Sequence, residues 1–507
     1  MDTTLSDFYD IVSPDAGAMI ESLRAYGYHL DTAVADIIDN SISAGAKTVW
    51  IDCIWNGEKS TVSIRDDGNG MTDIALKNAM RPGSRNPLQK RDLKDLGRFG
   101  LGLKTASFSQ CRKLTVGSKT EVDDPVFRCW DLDYINSCGE WRLLKPDKEK
   151  IPPVFTILNE MNHGTIILWE NLDRLTKGED PDNRKQADHF YAQLDILKAH
   201  LEMIFHRFLE KINGLKIFLN DRQLKPWDPF LTNYPSTQCL PVETIFYNGE
   251  KIIVRPYVLP HRSKIDDDTY KNAGGLGGWN ERQGFYVYRN ERLIVPGDWL
   301  GLEIQKGQPI RKEQFTKLAR IMVDLPNSLD EDWKIDVKKS VARPPNFIKE
   351  DFQRIARLTI EKAVSIYRFR GKVTERTKDA PASFPWLTTV QHGNYHYSIN
   401  REYPLLSEIL QTSGESRQKI LTMLRIIEES VPIPLMVMNE SNNPDKVPRP
   451  FESAPSDELK QVMAEVWSSM IRTGVPPENA KMRLMQMEPF SDYPDYVTEF
   501  MRKNFGK

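Results

Sequence analysis

Cysteine is scarce. The five, at positions 53, 111, 129, 138 and 239, include no Cys-x-x-Cys pair. That excludes a disulfide-stapled fold and the common structural zinc motifs, and it suits the reduced thiols of a cytosolic protein. The eight histidines are scattered, with no Cys-x-x-Cys pair to complete a zinc set. Net charge is only −2, so the chain as a whole exerts no pull on nucleic acid, and such contacts must come from local patches. No apolar run approaches the roughly 20 residues that span a bilayer. The N-terminus lacks the basic-then-apolar pattern of a signal peptide. The expectation is a cytoplasmic chain without membrane contact. Two common ways of cradling phosphates are also missing. There is no Gly-x-x-x-x-Gly-Lys-Ser/Thr loop, and no Gly-x-Gly-x-x-Gly in a βαβ unit with a distant acid.

What is present begins with length. A chain of 507 residues exceeds one ordinary core, so several domains are expected. Its 28% charged and 40% hydrophobic residues are those of a globular protein. Three short segments between Leu30 and Ala106 carry the chemistry. In the first, Leu30, Ala33, Val34, Ile37 and Ile38 recur at helical spacing. Asp36 and Asn40, at i and i+4, then project one turn apart from one face. A carboxylate there can orient or deprotonate a water. An amide oxygen can ligate Mg2+, a hard cation that keeps several of its waters. Asp39 is adjacent in sequence but points about 100° away from Asn40.

In the second segment an alternating strand, Thr61 to Arg65, runs into Asp66-Asp67-Gly68-Asn69-Gly70-Met71. Its glycines permit close approach of a ligand to backbone, although alone this is an ordinary Asp-Gly turn. The third segment is Gly97, Arg98, Phe99, Gly100, Leu101, Gly102, Leu103, Lys104, Thr105 and Ala106. Glycine-rich backbone entering a helix offers free N–H groups and a positive dipole end to phosphates, and Lys104 adds a point charge. Between them, Met80 to Leu96 is polar and basic, with Arg81, Arg85, Lys90, Arg91 and Lys94. Loops this long are usually lids or disordered.

In this order and spacing the three segments resemble the GHKL ATPases: DNA gyrase B subunits, heat-shock ninety-kilodalton chaperones, sensor histidine kinases and MutL. The Gly-Leu-Gly-Leu-Lys-Thr-Ala form is most similar to the MORC branch and its bacterial relatives. The resemblance implies an α+β fold: a Bergerat two-layer sandwich over residues 1–175, a ribosomal-protein-S5-like transducer domain over 190–370, and a small, mostly helical domain over 385–507. It implies ATP and Mg2+ as cofactors, with Asp66 accepting from the adenine amino group and Gly68, Gly70 and Met71 beside the base. Thr165, in a Gly-Thr-x-Ile strand, would stand near Asp66. Asn40 would hold the metal, and residues 97–105 the phosphates. Asp36 stands where the family has Glu as general base, one methylene shorter. Ser43 replaces a usual Asp. In Trp333 to Ser340, Lys338 aligns best, with Lys339 second, as the lysine that senses the third phosphate.

The partners implied are a second copy on ATP binding, DNA, and proteins of a bacterial defence operon. The function implied is an ATP-gated dimeric clamp. Two alternatives stand beside it, a chaperone-like ATPase and a nucleotide-binding module that does not hydrolyse. A sensor kinase is set aside, because the only histidine before Asp36 is His29.

Overall fold

The computed structural model describes residues 14–25, 27–83, 102–176, 180–305, 307–336, 339, 342–368, 385–391, 394–432, 457–487, 490 and 494–505. Gly97, Phe99, Gly100, Leu101, Lys338 and most of the lid segment lie outside them. The chain divides into two compact units, residues 1–371 and 372–507.

The first unit opens with α1 (Ala16–Arg24) and α2 (Leu30–Ser43). Two strands, β1 (Thr48–Ile54) and β2 (Thr61–Asp66), form a hairpin, followed by α3 (Asp73–Met80), α4 (Gly102–Phe108), β3 (Lys113–Lys119), β4 (Val126–Asp131), α5 (Leu132–Cys138) and β5 (Gly164–Glu170). Next come α6 (Arg184–Ile204), α7 (His206–Glu210), β6 (Lys216–Leu219) and β7 (Arg222–Gln223). The sheet order is β4-β3-β5-β2-β1-β6-β7. Every pairing is antiparallel except β1 with β6. Helices α2, α4 and α6 pack on one another over one face of this sheet, around a core that includes Val34, Ile38, Val49, Ile51, Ile64, Ile167 and Trp169. This is a sheet-and-helix sandwich of the Bergerat kind.

Three local features depend on tertiary packing. Residues 190–219, grouped by sequence with the second domain, complete the first sheet, because β6 runs parallel to β1 (Val49 opposite Ile217). Beyond α5 a single bridge joins Cys129 to Leu144, and Trp141 packs edge-on against Trp130. The glycine-rich stretch over 270–280 is built on two short helices, α8 (Asp267–Gly274) and α9 (Gly278–Glu281). Asp266 caps the first through Thr269 N–H at 2.8 Å, and Trp279 stacks on Tyr270 with ring centroids 4.7 Å apart. That capping and stacking offset the entropy cost of the glycines.

The second sheet holds β8 (Gln238–Cys239), β9 (Glu243–Tyr247), β10 (Glu250–Val258), β11 (Gly284–Arg289), β12 (Arg292–Asp298) and β15 (Ala319–Leu325); a small ribbon of β13 (Glu303–Gln305) and β14 (Gln308–Pro309) stands apart. Strands β11 and β12 are buried along almost their whole length because both faces are covered. Tyr286, Tyr288, Leu293 and Met322 join the core of the first sheet. Phe285, Val287, Ile294 and Val323 join a second core with α10 (Asn346–Arg368), where Phe352 stacks on Phe285. The second sheet is thus a middle layer in direct contact with the helices over the first.

The second unit carries a hairpin not foreseen from the sequence, β16 (Trp386–Gln391) with β17 (Asn394–Ile399). Around it are the helices α11 (Pro404–Thr412), α12 (Arg417–Ser430), α13 (Asp457–Arg472), α14 (Pro477–Gln486) and α15 (Pro494–Phe505). Its core includes Met463, Trp467, Met470, Leu484 and Phe490. Among the described residues, no helix of either unit is long and apolar enough to cross a membrane.

Candidate nucleotide site

Alternation along β2 decides where Asp66 points. Val62, Ile64 and Asp66 share the face that packs under the helices, so the carboxylate sits at the strand end beneath α2, only 6% exposed. Register then aligns a row across the sheet: Asp66 is opposite Thr165 of β5, and Thr165 is opposite Ser118 of β3. The row is hydrogen-bonded. Ser41 of α2 donates to Asp66 Oδ2 at 2.8 Å, and Gly68 N–H donates to Oδ1 at 2.9 Å. The hydroxyls of Ser118 and Thr165 are 2.9 Å apart, and Met71 N–H donates to Ser118 Oγ at 2.9 Å. Burial pushes the Asp66 carboxyl up from its ordinary value, against the pull of the Ser41 and Gly68 donors.

The loop after β2 is pinned on both sides. Asp67 Oδ1 accepts from the N–H groups of Lys47 and Thr48 at 2.7 and 2.8 Å, and His163 Nδ1 donates to the Gly68 carbonyl at 2.7 Å. Gly70 has φ +68°, and a Cβ there would lie 1.9 Å from the Lys119 carbonyl oxygen. Only glycine fits. The loop therefore leaves backbone, not side chain, at the mouth of the polar row.

Helix α2 supplies the other end. It closes in a Schellman turn, with Gly45 at φ +78°, Gly45 N–H returning to the Ile42 carbonyl and Ala46 N–H to that of Ser41. Asn40, in its last turn, is exposed. Asp36, one turn earlier, is 3% exposed. Its Oδ2 accepts from Tyr28 Oη at 2.9 Å and its Oδ1 from Lys339 Nζ at 3.2 Å, with an Arg292 guanidinium nitrogen 3.8 Å from Oδ1. Burial and the neighbouring Asp36 carboxylate push the Tyr28 phenol well up, so it stays a donor. Thr105 also bonds to Tyr28, and a Cβ on Gly102 would lie 3.9 Å from Asp36 Oδ2. The start of α4 thus stands beside Asp36, as the third sequence segment requires.

The cations here come from β12 of the second sheet, which bears Arg292, and from the stretch between β15 and α10, which bears Lys339. Lys339 donates to Asp39 as well as Asp36, and Arg292 Nε donates to Asp39 Oδ1 at 2.8 Å. All four side chains are at least nine-tenths buried. Sequence reading missed Asp39 and Arg292. The signal was available for Asp39, which is i+3 from Asp36 and so its neighbour on the helix surface. Ser41 and Ser118 were also missed, and only the register exposes them. Lys339, the second choice by sequence, is the described lysine that reaches Asp36; Lys338 lies outside the described residues. Lys104, expected to lend its charge to phosphates, is 2% exposed and donates to the Ala79 carbonyl at 3.0 Å. A cation is favoured at that C-terminal turn of α3. Leu103 packs half-buried against the core.

The residues fit a magnesium nucleotide. Asp66 is a buried acceptor at a glycine-lined mouth, and Asn40 offers one neutral oxygen to a metal that takes its other ligands from water and phosphate. Among the described residues, no cluster of three or more His, Cys, Asp or Glu forms a metal site of its own.

Comparison with known proteins places part of the chain beside a known family. Residues 28–165 match the family described as histidine kinase-, DNA gyrase B-, and HSP90-like ATPase. Relatives include DNA mismatch repair protein MutL of Dictyoglomus turgidum, 36% identical over 128 residues, covering 24% of this chain and 22% of the relative. MutL of Rickettsia prowazekii is 25% identical over 191 residues, covering 37% of this chain and 29% of the relative. MutL of Clostridium acetobutylicum is 29% identical over 114 residues, covering 21% of this chain and 18% of the relative. The chain thus spans less than a third of the length of these relatives.

Proposed function

We propose, from the match of residues 28–165 to the histidine kinase-, DNA gyrase B-, and HSP90-like ATPase family, that the protein binds and hydrolyses Mg-ATP and uses the third phosphate to control contact between its two sheets. The observation that carries this reading is the bond from Lys339 to Asp36. A cation on the stretch that leads from the second sheet to α10 rests on the carboxylate that α2 turns toward the start of α4.

In this reading Asp66 binds adenine, with Thr165 and Ser118 completing the polar row. Asn40 holds Mg2+, which neutralises phosphate charge when bound. Gly102, Leu103 and Thr105 continue the phosphate-binding stretch begun by Gly97, Phe99, Gly100 and Leu101. Asp36, steadied by Tyr28, takes the proton of the attacking water, where positioning matters more than basicity. Lys339 senses the third phosphate, whose charge-assisted bonds are lost on hydrolysis. The second sheet with α10 serves as the transducer of S5-like fold, and ATP closes two copies into a clamp. Mismatch-repair relatives support DNA as the target. A MORC-like role in bacterial defence is the biological setting proposed.

The test is steady-state phosphate release by the purified full chain, with and without duplex DNA, alongside sedimentation with a β,γ-imido ATP analogue or ADP. Turnover, and dimers with the analogue alone, are expected. Monomers with both nucleotides would sink the clamp. One observation favours a second reading, a switch that binds ATP without hydrolysing it: both Asp36 oxygens are already engaged, by Tyr28 and Lys339. Dimerisation by ATP without phosphate release under any condition would favour it.

A further inference from the structure

The hairpin β11–β12 turns through Asn290-Glu291, both at positive φ (47° and 68°), the two-residue connection whose twist suits paired strands. It sets two arginines opposite one another, Arg289 and Arg292. Like charges in that relation repel, and each here has its own carboxylate. Arg289 Nε donates to both oxygens of Asp330 at 2.7 and 2.8 Å, and Asp330 begins the stretch that leads to Lys339. Arg292 donates to Asp39 at 2.8 Å and, through Nη1, to the Lys339 carbonyl at 3.5 Å. One arginine thus secures the stretch that bears the lysine. The other joins that lysine's backbone to α2. Lys339 itself has φ +51°, so its backbone is held in a conformation that favours glycine.

Charge decides what Arg292 does. Asp36, Asp39, Arg292 and Lys339 form a neutral group of two carboxylates and two cations, all buried. If Lys339 leaves, Asp36 keeps the Tyr28 hydroxyl and Asp39 keeps Arg292. Without Arg292, departure of the lysine strands a buried, unpaired Asp39, and such charges are expensive. We propose that Arg292 is a positioning residue that makes Lys339 releasable: it gives Asp39 a permanent partner and so lets the lysine move to a third phosphate. The inference rests on the reading of Lys339 as the phosphate sensor.

The test compares Mg2+-dependent affinity for the β,γ-imido ATP analogue with that for ADP, by calorimetry on the full chain. Arg292→Gln should lower the preference for the analogue roughly 10- to 100-fold, the worth of one charge-assisted hydrogen bond, with ADP affinity unchanged. Asp39→Asn removes the competing carboxylate and should keep or raise the preference. The double variant Asp39→Asn/Arg292→Gln should regain it, since no carboxylate is stranded. A merely structural arginine would not be rescued in this way. Wild-type preference in Arg292→Gln, or a double variant as poor as Arg292→Gln, overturns the inference. Lys339→Ala is measured in parallel. If it leaves the preference intact, the sensor reading falls and this inference with it. If Lys339→Ala loses the preference and Arg292→Gln does not, only the inference falls. Should Arg292→Gln fail to fold, Asp39→Asn and the double variant decide, because equal preferences are expected there and a lower one in the double refutes the role of Arg292.

Discussion

Asp66 takes its hydroxyl partner from Ser41, 25 residues away in the chain, and its strand partner Thr165 lies in the same sheet. Asp36 takes its ammonium partner from Lys339, 303 residues away on the stretch between the second sheet and α10. The first arrangement is fixed by backbone ladders and one helix, so it persists whatever is bound. The second depends on contact between two layers that share side chains but no strand pairing. A site that must recognise a base gains from the first construction. A site that must report whether a phosphate is present gains from the second, because its partner can leave. The comparison predicts that substitutions at the Asp66 end change affinity for all adenine nucleotides alike, whereas those at the Asp36 end separate ATP from ADP.

The largest effect is expected at Asp36. Asp36→Ala should bind nucleotide yet release phosphate at least about a hundredfold more slowly, the low end of general-base contributions. Wild-type turnover in this variant would assign the base elsewhere. Asp36→Glu sharpens the point. It restores activity if the pocket tolerates the extra methylene, and fails if Tyr28 and Lys339 fit only the shorter chain. Next, Lys339→Ala should reduce preference for the imido analogue over ADP by roughly 10- to 100-fold. Equal loss for both nucleotides in calorimetry would erase the distinction between the two ends.

Asp66→Asn should weaken ATP and ADP alike, by roughly tenfold for one hydrogen bond. Its stability effect has the opposite sign. Burial raises the Asp66 pKa above its model-compound value of 3.8, so as pH falls the folded state takes up the proton before the unfolded chain does. Asp66 thus costs stability above its raised pKa, and the cost is relieved as pH falls through that value toward 3.8. Thermal melts should show Asp66→Asn no less stable than wild type at neutral pH, with any advantage vanishing in acid. A variant destabilised at neutral pH would make Asp66 a structural residue. The smallest effect is expected at Asn40. Asn40→Ala should lose a few-fold in affinity with Mg2+, as one neutral ligand among several, and less without it; equal losses would argue against metal contact.

The sequence by itself determined the local parts of this protein. Alternation along β2 put Asp66 at a strand end on the core face. Helical periodicity placed Asp36 and Asn40 one turn apart, and glycines marked the turn after β2. These features obey periods of two and 3.6 residues and the conformational needs of turns, which operate over a few neighbours. Tertiary structure alone decided the rest. Strand register brought Ser118 and Thr165 into line with Asp66, because the ladder fixes which residues lie opposite. The packing of the second sheet against the helices of the first selected Lys339 and Arg292 and drew Asp39 into the charge cluster. A lysine at a segment end carries no local sign of what it will meet. Its partner is set by how two cores share Tyr286, Tyr288 and Leu293, and that depends on shape and burial summed over hundreds of residues rather than on any spacing in the chain.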